Sequence, residues 1–332
     1  MNPTITVLMP LYDAKDYLAE SIESILNQSY TDFEFLIIDD SSDGSYEIAK
    51  KYEEIDKRIR VIKNNPPLGL RKSSNLGIRE AKGKYIARME ADDISLPNRF
   101  EKQLAFMEAN PNVDVSGCFL QLFGQQDGQW TYPLNDEEIK AGLIWGITIA
   151  HPTTFMKRSF LVEGNHYYNP YGLSYAEDRE FFFDMHRQAT FKNLPEFLYM
   201  YRRSSNSVTK RLKSKRLEAR IALLSKIFKD FGIKFTEQDI LYHEFIRAQF
   251  FIDINRENLI KSKQWYNKLL AHNLQTNYFH HNAFVSASRQ QWNKLFYTLS
   301  NKNIFLAGFF LIISGNFSIK YWTYFFKKLL KG

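Results

Sequence analysis

The 332-residue chain is predicted to form an α/β domain with a mainly parallel sheet, followed by a helical C-terminal appendage. In the first part, short apolar runs alternate with segments of helical periodicity, which is typical of a parallel sheet flanked by helices. Beyond about residue 212 the pattern becomes helical and markedly more basic. We therefore expect residues 1–211 to form one domain and residues 212–332 a second, mainly helical region.

The first elements can be predicted in chain order. Apolar runs predict strands, and helical spacing of apolar residues predicts the helices between them. Pro10 is expected to end the first strand. The predicted strands are residues 5–9, 33–38, 60–63 and 84–89, and the predicted helices are residues 17–28, 46–55 and 73–81. Because ligands of such sheets bind at the carboxyl ends of the strands, we expect the functional site there.

The later elements are less regular. A helix is predicted at residues 97–110, a strand at 113–123, an exposed turn at 124–129 and a helix at 179–188. Residues 167–175 are rich in Tyr, Asn, Gly and Pro, which predicts a loop directly before that last helix.

Three acidic clusters are the strongest functional signal. Asp39-Asp40 and the segment Glu-Ala-Asp-Asp at 90–93 each follow a predicted strand, and Glu177-Asp178 precedes a predicted helix. Carboxylates gathered at strand ends repel one another. A hard divalent cation that also binds phosphate oxygens usually offsets this repulsion. The sequence therefore predicts an enzyme that handles a metal-bound phosphate ester.

The net charge of +7 conceals an asymmetry. Residues 1–210 contain 24 Lys and Arg against 30 Asp and Glu, whereas residues 211–332 contain 20 against 7. A basic appendage indicates contact with an anionic surface, either nucleic acid or a membrane leaflet. We find no nucleic-acid-binding module and expect no nucleic-acid partner. The one cysteine, Cys118, excludes a disulfide framework, and the N-terminus has no signal-peptide pattern, so we expect a cytoplasmic protein.

Residues 303–331 are predicted to be a membrane-interfacial segment. The apolar run at 304–313 is shorter than the roughly 20 residues that a membrane span requires. Nine aromatic residues lie between Phe305 and Phe326, and Lys327, Lys328 and Lys331 follow them. This composition fits peripheral contact with an anionic leaflet. A helix packed on the protein's own core and a true membrane span are the alternatives.

Five ordered motifs resemble the inverting family 2 glycosyltransferases of bacterial surface-polysaccharide type. They are Pro10-Leu-Tyr-Asp13, Asp39-Asp40-Ser41-Ser42-Asp43, Arg88-Met89-Glu90-Ala91-Asp92-Asp93, His151-Pro152-Thr153 and Ala176-Glu177-Asp178. The resemblance covers roughly the first two-thirds of the chain. It implies the GT-A fold, a Rossmann-like α/β domain that binds a nucleotide-sugar.

The resemblance also implies how a UDP-sugar donor is held. Asp40 matches the aspartate that contacts the uracil edge, since a carboxylate can accept from the N3–H that cytosine lacks. Pro10, Tyr12 and Asp13 would pack around the base, and Asp13 stands where the family usually has asparagine. The alternative for Asp40 is a structural role in a turn or helix cap.

The segment at 90–93 occupies the position of the family's metal motif, usually Asp-x-Asp-Asp. Asp92 matches the direct ligand of Mn²⁺ or Mg²⁺, with diphosphate oxygens and water completing the shell. Glu90 replaces the aspartate that contacts the ribose, and Ala91 lies beside it in the donor site. A solvated acidic turn is the alternative.

The remaining site residues follow from the same resemblance. Asp178, preceded by Glu177, matches the base that deprotonates the acceptor hydroxyl; taken alone, the pair reads as the acidic start of a helix. His151 is a candidate contact to the diphosphate or to the metal region, Arg71 is a candidate contact to phosphate, and Arg202 resembles part of a loop that closes over the donor. A structural histidine and solvated arginines are the alternatives.

The expected function is inverting transfer of a hexose or N-acetylhexosamine from UDP to a hydroxyl of a glycan or lipid-linked acceptor. The product is a β-linkage in cell-surface polysaccharide or lipopolysaccharide, made at the inner face of the cell membrane. One alternative is a catalytically inactive nucleotide-sugar-binding membrane scaffold. Another is a nucleotidyltransferase, but that would require a glycine-rich basic loop where residues 10–15 read PLYDAK.

Overall fold

The computed structural model describes residues 2–172, 176–203, 213–315 and 319–330, without the side chains of residues 213–216. The chain divides into two compact units. Unit 1 comprises Met1–Lys140 and Ile147–Leu212, and unit 2 comprises Ala141–Gly146 and Lys213–Gly332.

Unit 1 is built on a nine-stranded sheet within the described residues. Its strands are β1 (Ile5–Leu11), β2 (Phe33–Asp39), β3 (Ile59–Lys63), β4 (Tyr85–Arg88), β5 (Ile94–Ser95), β6 (Val115–Gly124), β7 (Gly128–Trp130), β8 (Phe155–Lys157) and β9 (Phe191–Arg203). The strand order is β3-β2-β1-β4-β8-β6-β9-β5, and β7 pairs with β6. The strands predicted at residues 33–38, 60–63, 84–89 and 113–123 are confirmed to within two residues at each end.

The sheet is parallel on one side and mixed on the other. Strands β3, β2, β1 and β4 are parallel, whereas β8 is antiparallel to both β4 and β6. All seven residues of β1 are buried, as expected for a central strand covered on both faces. The carboxyl ends of β1, β2 and β4 therefore meet at one edge, where the acidic motifs follow.

Pro10 does not end the first strand as predicted. It lies inside β1, opposite Ile38 of β2. The Leu11 carbonyl accepts from Asp40 on the β2 side, so the nitrogen of Pro10 points to the other side, where pairing with β4 has stopped at Leu8. Proline is tolerated because no ladder hydrogen bond is lost.

The helices of unit 1 cover the sheet. They are α1 (Leu18–Leu26), α2 (Ser45–Ile55), α3 (Leu70–Glu80), α4 (Arg99–Ala109), α5 (Asp136–Gly142), α6 (Arg158–Glu163) and α7 (Glu177–Met185). Helix α3 begins three residues earlier than predicted, directly after Gly69, whose φ of 81° only glycine adopts readily. Buried apolar residues on one face of β1 and β2 form a core with the facing sides of α1, α2 and α4.

Unit 2 consists of helices together with the inserted residues 141–146. The helices are α8 (Lys213–Asp230), α9 (Glu237–Ile246), α10 (Arg256–Thr276), α11 (His281–Lys302), α12 (Ile304–Ser314) and α13 (Ile319–Leu329). Trp145 belongs to this unit because its ring stacks on His243 at 4.3 Å and its indole donates to Ser288. In the part of the chain that the structure describes, no helix is both long and apolar enough to cross a membrane.

Candidate active site

The loops after β1 and β2 are locked together at the sheet edge. Asp13 has a left-handed φ of 42°, and its carboxylate accepts from the Ser42 backbone at 2.8 Å. Its own N–H donates to the Ser41 hydroxyl at 3.1 Å. The preceding Tyr12 is 70% exposed. These two loops form the rim of the candidate site, where the ring of Tyr12 is accessible. Pro10 lies below it, buried in β1.

The carboxylate of Asp40 is fully engaged by the protein. One oxygen accepts from the Asn64 amide at 2.7 Å and the Leu68 N–H at 3.1 Å. The other accepts from the Gly69 N–H at 2.7 Å and the Ser73 hydroxyl at 2.8 Å. Asp40 therefore holds the loop between β3 and α3 in place. A uracil contact through this carboxylate would have to replace one of these four hydrogen bonds.

Glu90 is held ionised by two basic neighbours. Arg88 is 1% exposed and donates to Glu90 Oε1 through Nε at 3.2 Å and Nη2 at 3.0 Å. His151 Nδ1 lies 3.5 Å from the same oxygen. Burial opposes ionisation of Glu90, but Arg88 and His151 outweigh it and hold its pKa at about 2.

Asp92 is a poorly compensated carboxylate of the site. Burial, and then the negative charge of Glu90, raise the pKa of Asp92 to about 6. Among the described residues, no other residue donates a hydrogen bond to its carboxylate. The neighbouring Asp93 is fully buried, and burial raises its pKa well above the usual range. In contrast to Glu90, these two carboxyl groups form no ion pair within the described residues.

Arg202, at the end of β9, fixes the shape of this acidic loop. Its backbone N–H donates to Asp93 Oδ1 at 2.8 Å, and its Nε donates to the Asp92 carbonyl at 2.7 Å. Its guanidinium also pairs with Glu20 of α1. The side chain predicted to contact the donor thus supports the backbone of the metal motif. The rest of that predicted loop, Ser204–Ser207, lies outside the described residues.

A chain of contacts connects the acidic loop to helix α7. The ring of His151, which touches Glu90, bonds the Tyr168 hydroxyl at 2.5 Å through Nε2. The ring of Tyr168 stacks on Phe181 of α7 with centroids 3.9 Å apart. Asn75 clamps the Tyr168 backbone through two hydrogen bonds of 2.8 Å each. His151 therefore occupies a position between the metal motif and the helix that carries Asp178.

Helix α7 begins with Glu177 and Asp178, both half-buried. Asp178 Oδ1 accepts from the Arg179 N–H at 2.7 Å. Burial raises the pKa of the Tyr168 phenol, and the negative charges of Glu90 and Asp178 raise it further. Helix α7 thus carries Asp178 and also Phe181, whose ring stacks on Tyr168.

Arg71 positions α7 through a buried ion pair. Its Nη1 lies 2.9 Å from Glu180 Oε2, with side-chain exposures of 9% and 4%, and also donates to the Asn169 carbonyl at 3.1 Å. Gly172 lies against this pair, since a Cβ there would come within 2.3 Å of Glu180 and 2.5 Å of Arg71. The arginine predicted to contact diphosphate therefore anchors the helix of Asp178.

The structure brings most of the predicted site residues to one edge of unit 1. Glu90, His151, Asp92 and Arg202 form one connected cluster around the segment that contains Ala91, whose carbonyl accepts from the Ser21 hydroxyl. Tyr12, Asp13 and Asp40 form a second group on the loops after β1 and β2. Residues 173–175 of the predicted loop before α7 lie outside the described residues.

Three residues of the site were not predicted from sequence. Tyr168 and Gly172 lie in a loop whose composition indicated only irregular structure. Glu180 stands in an acidic helix start, where the helix dipole alone accounts for negative charge. The spacing of Glu180 two residues after Asp178 carries no local signal of its partner Arg71, which lies more than 100 residues away in sequence.

The donor set fits a hard divalent cation shared with a ligand. Carboxylate oxygens suit Mg²⁺ and Mn²⁺. Among the described residues, no group of three or more His, Cys, Asp or Glu side chains is arranged to hold a metal. Asp92 could supply one ligand, and diphosphate oxygens and water could complete the shell. This is the arrangement expected of a cation that bridges to a diphosphate.

Comparisons with known proteins place the chain in a family. The family model "Glycosyl transferase family 2" matches residues 6–164. The O-antigen biosynthesis glycosyltransferase WbnJ of Escherichia coli is 32% identical over 216 residues, which are 62% of this chain and 82% of that protein. Three further curated relatives are matched over 40–45% of their own length.

Two solved structures share the fold. TarS 1–349 of S. aureus in complex with UDP-GlcNAc is similar with a TM-score of 0.59 and 16% identity, covering 87% of this chain and 90% of that one. The mannosyltransferase PcManGT of Pyrobaculum calidifontis, in complex with GDP-Man and Mn²⁺, gives a TM-score of 0.56 and 15% identity, covering 93% and 86%. At these identities the likeness concerns the fold alone, and it confirms the predicted GT-A architecture with its C-terminal helices. The motifs, the sheet and the relatives together show that the chain belongs to the family 2 glycosyltransferases.

Proposed function

We propose that this glycosyltransferase moves a sugar from a UDP-sugar to a hydroxyl of a glycan or lipid-linked acceptor, with inversion at the anomeric carbon. The observation that carries the proposal is the path from Glu90 through His151 and Tyr168 to Phe181. It ties the acidic loop, which would hold the leaving diphosphate, to the helix that carries Asp178. The proposed site thus combines an acidic loop that can bind a cation with a separate carboxylate for proton removal.

The proposed donor is a uridine nucleotide. The exposed ring of Tyr12 lies on the rim of the β1 and β2 loops, where a base can stack on it. Asp40 anchors the loop that lines this rim and can contact the base by exchanging one of its hydrogen bonds. The UDP-GlcNAc bound by the structurally similar S. aureus protein supports this class of donor.

The acidic loop is the proposed place for Mn²⁺ or Mg²⁺. Asp92 would be its protein ligand, and Glu90, held ionised by Arg88, would lie close to it. The cation supplies Lewis-acid stabilisation of the negative charge on the departing diphosphate. Arg202 and Ser21 keep the backbone of the loop fixed through the Asp92 and Asp93 carbonyls, so the carboxylate is held in position before the donor arrives.

The proposed chemical step is a single displacement. The acceptor oxygen forms a bond to the anomeric carbon while the bond from that carbon to the diphosphate oxygen breaks, and UDP leaves with the electron pair. The hydroxyl proton passes to the Asp178 carboxylate. Because one in-line attack inverts the centre, an α-linked donor gives a β-linked product. The ion pair of Arg71 with Glu180 would keep Asp178 in register with the acceptor.

The acceptor and the cellular place are proposed from the relatives and the charge. The Escherichia coli relative acts in O-antigen biosynthesis, which supports a role in surface polysaccharide or lipopolysaccharide assembly. Hexosyl or N-acetylhexosaminyl transfer at the cytoplasmic face of the cell membrane is the form that we propose. The basic C-terminal region is consistent with that location.

The test is turnover of a panel of UDP-, GDP- and TDP-sugars with Mn²⁺, with Mg²⁺ and with EDTA. We expect one UDP-sugar to be hydrolysed or transferred, only with metal, and Asp178→Asn to abolish transfer. Asp184→Asn is the matched control, since Asp184 is an exposed carboxylate on the same helix.

Each part of the proposal has its own contradicting result. Turnover of a GDP-sugar alone would contradict the uridine assignment, and full activity in EDTA would contradict the metal assignment. Metal-dependent UDP binding with no transfer to any acceptor would favour the inactive scaffold.

A further inference from the structure

Helix α13 packs on unit 2 by one face only. Tyr321 and Tyr324 lie against Phe296 and Tyr297 of α11, with ring centroids 5.0–6.0 Å apart. On the same side, the ring of Phe325 lies against α12, where a Cβ on Gly308 would meet it at 3.0 Å. These contacts fix which side of α13 faces the protein.

The opposite face of α13 is apolar and exposed. Ile319 is 83% exposed, Phe326 52%, and Leu329 and the following Leu330 are 41% and 86% exposed. With about 100° of rotation per residue, these side chains and Trp322 fall within an arc of about 100°. A surface helix of a water-soluble protein normally turns such a stripe inward. The neighbouring α12 also exposes apolar side chains, Phe305 at 78% and Ile312 at 65%.

The charge around this face has one sign. Residues 258–332 contain ten Lys and Arg and no Asp or Glu. Lys320 and Lys327 are exposed on one flank of the stripe. An apolar, aromatic stripe flanked by lysines is the composition of a helix that lies in the headgroup region of a bilayer.

We propose that the exposed face of α13, with the exposed side of α12, docks on an anionic membrane leaflet. The helix lies parallel to the surface, because its 11 residues extend only about 16 Å against the roughly 30 Å of a hydrocarbon core. A second copy of the chain is a poorer occupant, since a symmetric contact would bring the same lysines together with no acidic partner nearby in sequence. The inference does not depend on the donor or on the chemical step.

The first experiment is co-sedimentation of the full chain with phosphatidylcholine vesicles, with and without phosphatidylglycerol. We expect binding that requires the anionic lipid and weakens with salt. Ile319→Glu and Phe326→Glu should each weaken binding to the anionic vesicles about tenfold or more. Each variant removes an apolar side chain that would be buried in the bilayer and adds a negative charge that the anionic lipid repels. Lys320→Gln with Lys327→Gln should weaken it by a smaller factor, about fivefold or more.

The matched controls are Leu274→Glu and Lys234→Gln. Leu274 is 66% exposed on α10, and Lys234 is exposed outside the α12 and α13 segment. Both variants should bind like the wild type, and circular dichroism should be unchanged for all variants. Equal binding of Ile319→Glu, Phe326→Glu and Leu274→Glu would overturn the proposal. So would an absence of binding to anionic vesicles.

Two further measurements separate insertion from simple adsorption and from self-association. Trp322 fluorescence should shift to shorter wavelength on binding and be quenched by brominated lipid, and Trp322→Phe should bind but lose the quenching. Light scattering should find the same mass for the wild type and for Ile319→Glu. A dimer that this variant splits, with no loss of vesicle binding, would assign the face to a second copy instead. UDP-sugar hydrolysis in solution should be equal in both proteins, so a failure here leaves the proposed transfer reaction untouched.

Discussion

Asp40 follows β2 and Asp92 follows β4 of the same sheet, with β1 between them, yet the protein treats their charges in opposite ways. The carboxylate of Asp40 accepts four hydrogen bonds from the protein and is buried. The carboxylate of Asp92 receives none from another described residue, and burial with Glu90 raises its pKa to about 6. The protein stabilises the first charge through hydrogen bonds. It provides the second with no hydrogen-bond donor from another described residue.

The difference indicates that Asp40 has a structural role and that Asp92 is the better candidate for binding a ligand. A buried carboxylate with complete hydrogen bonding stabilises the loop that surrounds it. A buried carboxylate without hydrogen-bond donors lowers the free energy of unfolding. Such perturbed groups cluster at functional sites. Four variants can break or sharpen this comparison.

The largest effect is expected from Asp92→Asn. The variant should lose turnover by about 10³-fold, since a lost metal ligand removes several kcal/mol of transition-state stabilisation. Its free energy of unfolding without metal should equal or exceed that of the wild type at neutral pH, because an uncompensated charge is removed. Activity and urea denaturation are the measurements. A variant that unfolds more easily than the wild type and still turns over the UDP-sugar would assign Asp92 a structural role like that of Asp40.

Arg71→Met removes the cation of a buried ion pair. Glu180 would lose its contact with Arg71 while it stays buried, at a cost of about 3–5 kcal/mol in the free energy of unfolding. The double variant Arg71→Met with Glu180→Met should recover much of that stability, because the pair is replaced by apolar packing. Transfer should stay impaired in the double variant, since α7 loses its anchor.

A double variant with wild-type kcat would show that the Arg71 and Glu180 pair does not position Asp178. Arg60→Met is the matched control, because its pair with Glu80 is partly exposed and should cost about 1 kcal/mol or less.

Asp40→Asn tests the carboxylate that accepts four hydrogen bonds from the protein. The amide keeps the shape, but its NH₂ group faces N–H and hydroxyl donors, so about 2 kcal/mol of stability should be lost. Affinity for UDP should fall as well, because the loop from Asn64 to Gly69 loses its anchor. Calorimetric titration with UDP and urea denaturation measure the two effects. Unchanged stability with weaker UDP binding would assign Asp40 to the base alone.

The sequence predicted the position of both carboxylates but not this contrast. Strand ends follow from local apolar runs, so Asp40 and Asp92 could be placed at the sheet edge from pattern alone. The partners of Asp40 lie 24–33 residues further along, in a loop whose conformation no periodicity describes. The insertion of Trp145 into unit 2 escaped prediction for the same reason, since its partner His243 is almost 100 residues away. Contacts that depend on tertiary packing leave little trace in local sequence.

The smallest effect is expected from Tyr12→Ala. Tyr12 is 70% exposed, so the change should leave the free energy of unfolding within about 0.5 kcal/mol of the wild type. Loss of a stacking surface for the base should raise KM for the UDP-sugar by about fivefold, roughly 1 kcal/mol, while kcat stays the same. Tyr12→Phe keeps the ring and should retain the wild-type KM. Equal KM values for the alanine and phenylalanine variants would mean that the base stacks elsewhere, and the donor site on the β1 and β2 loops would have to be redrawn.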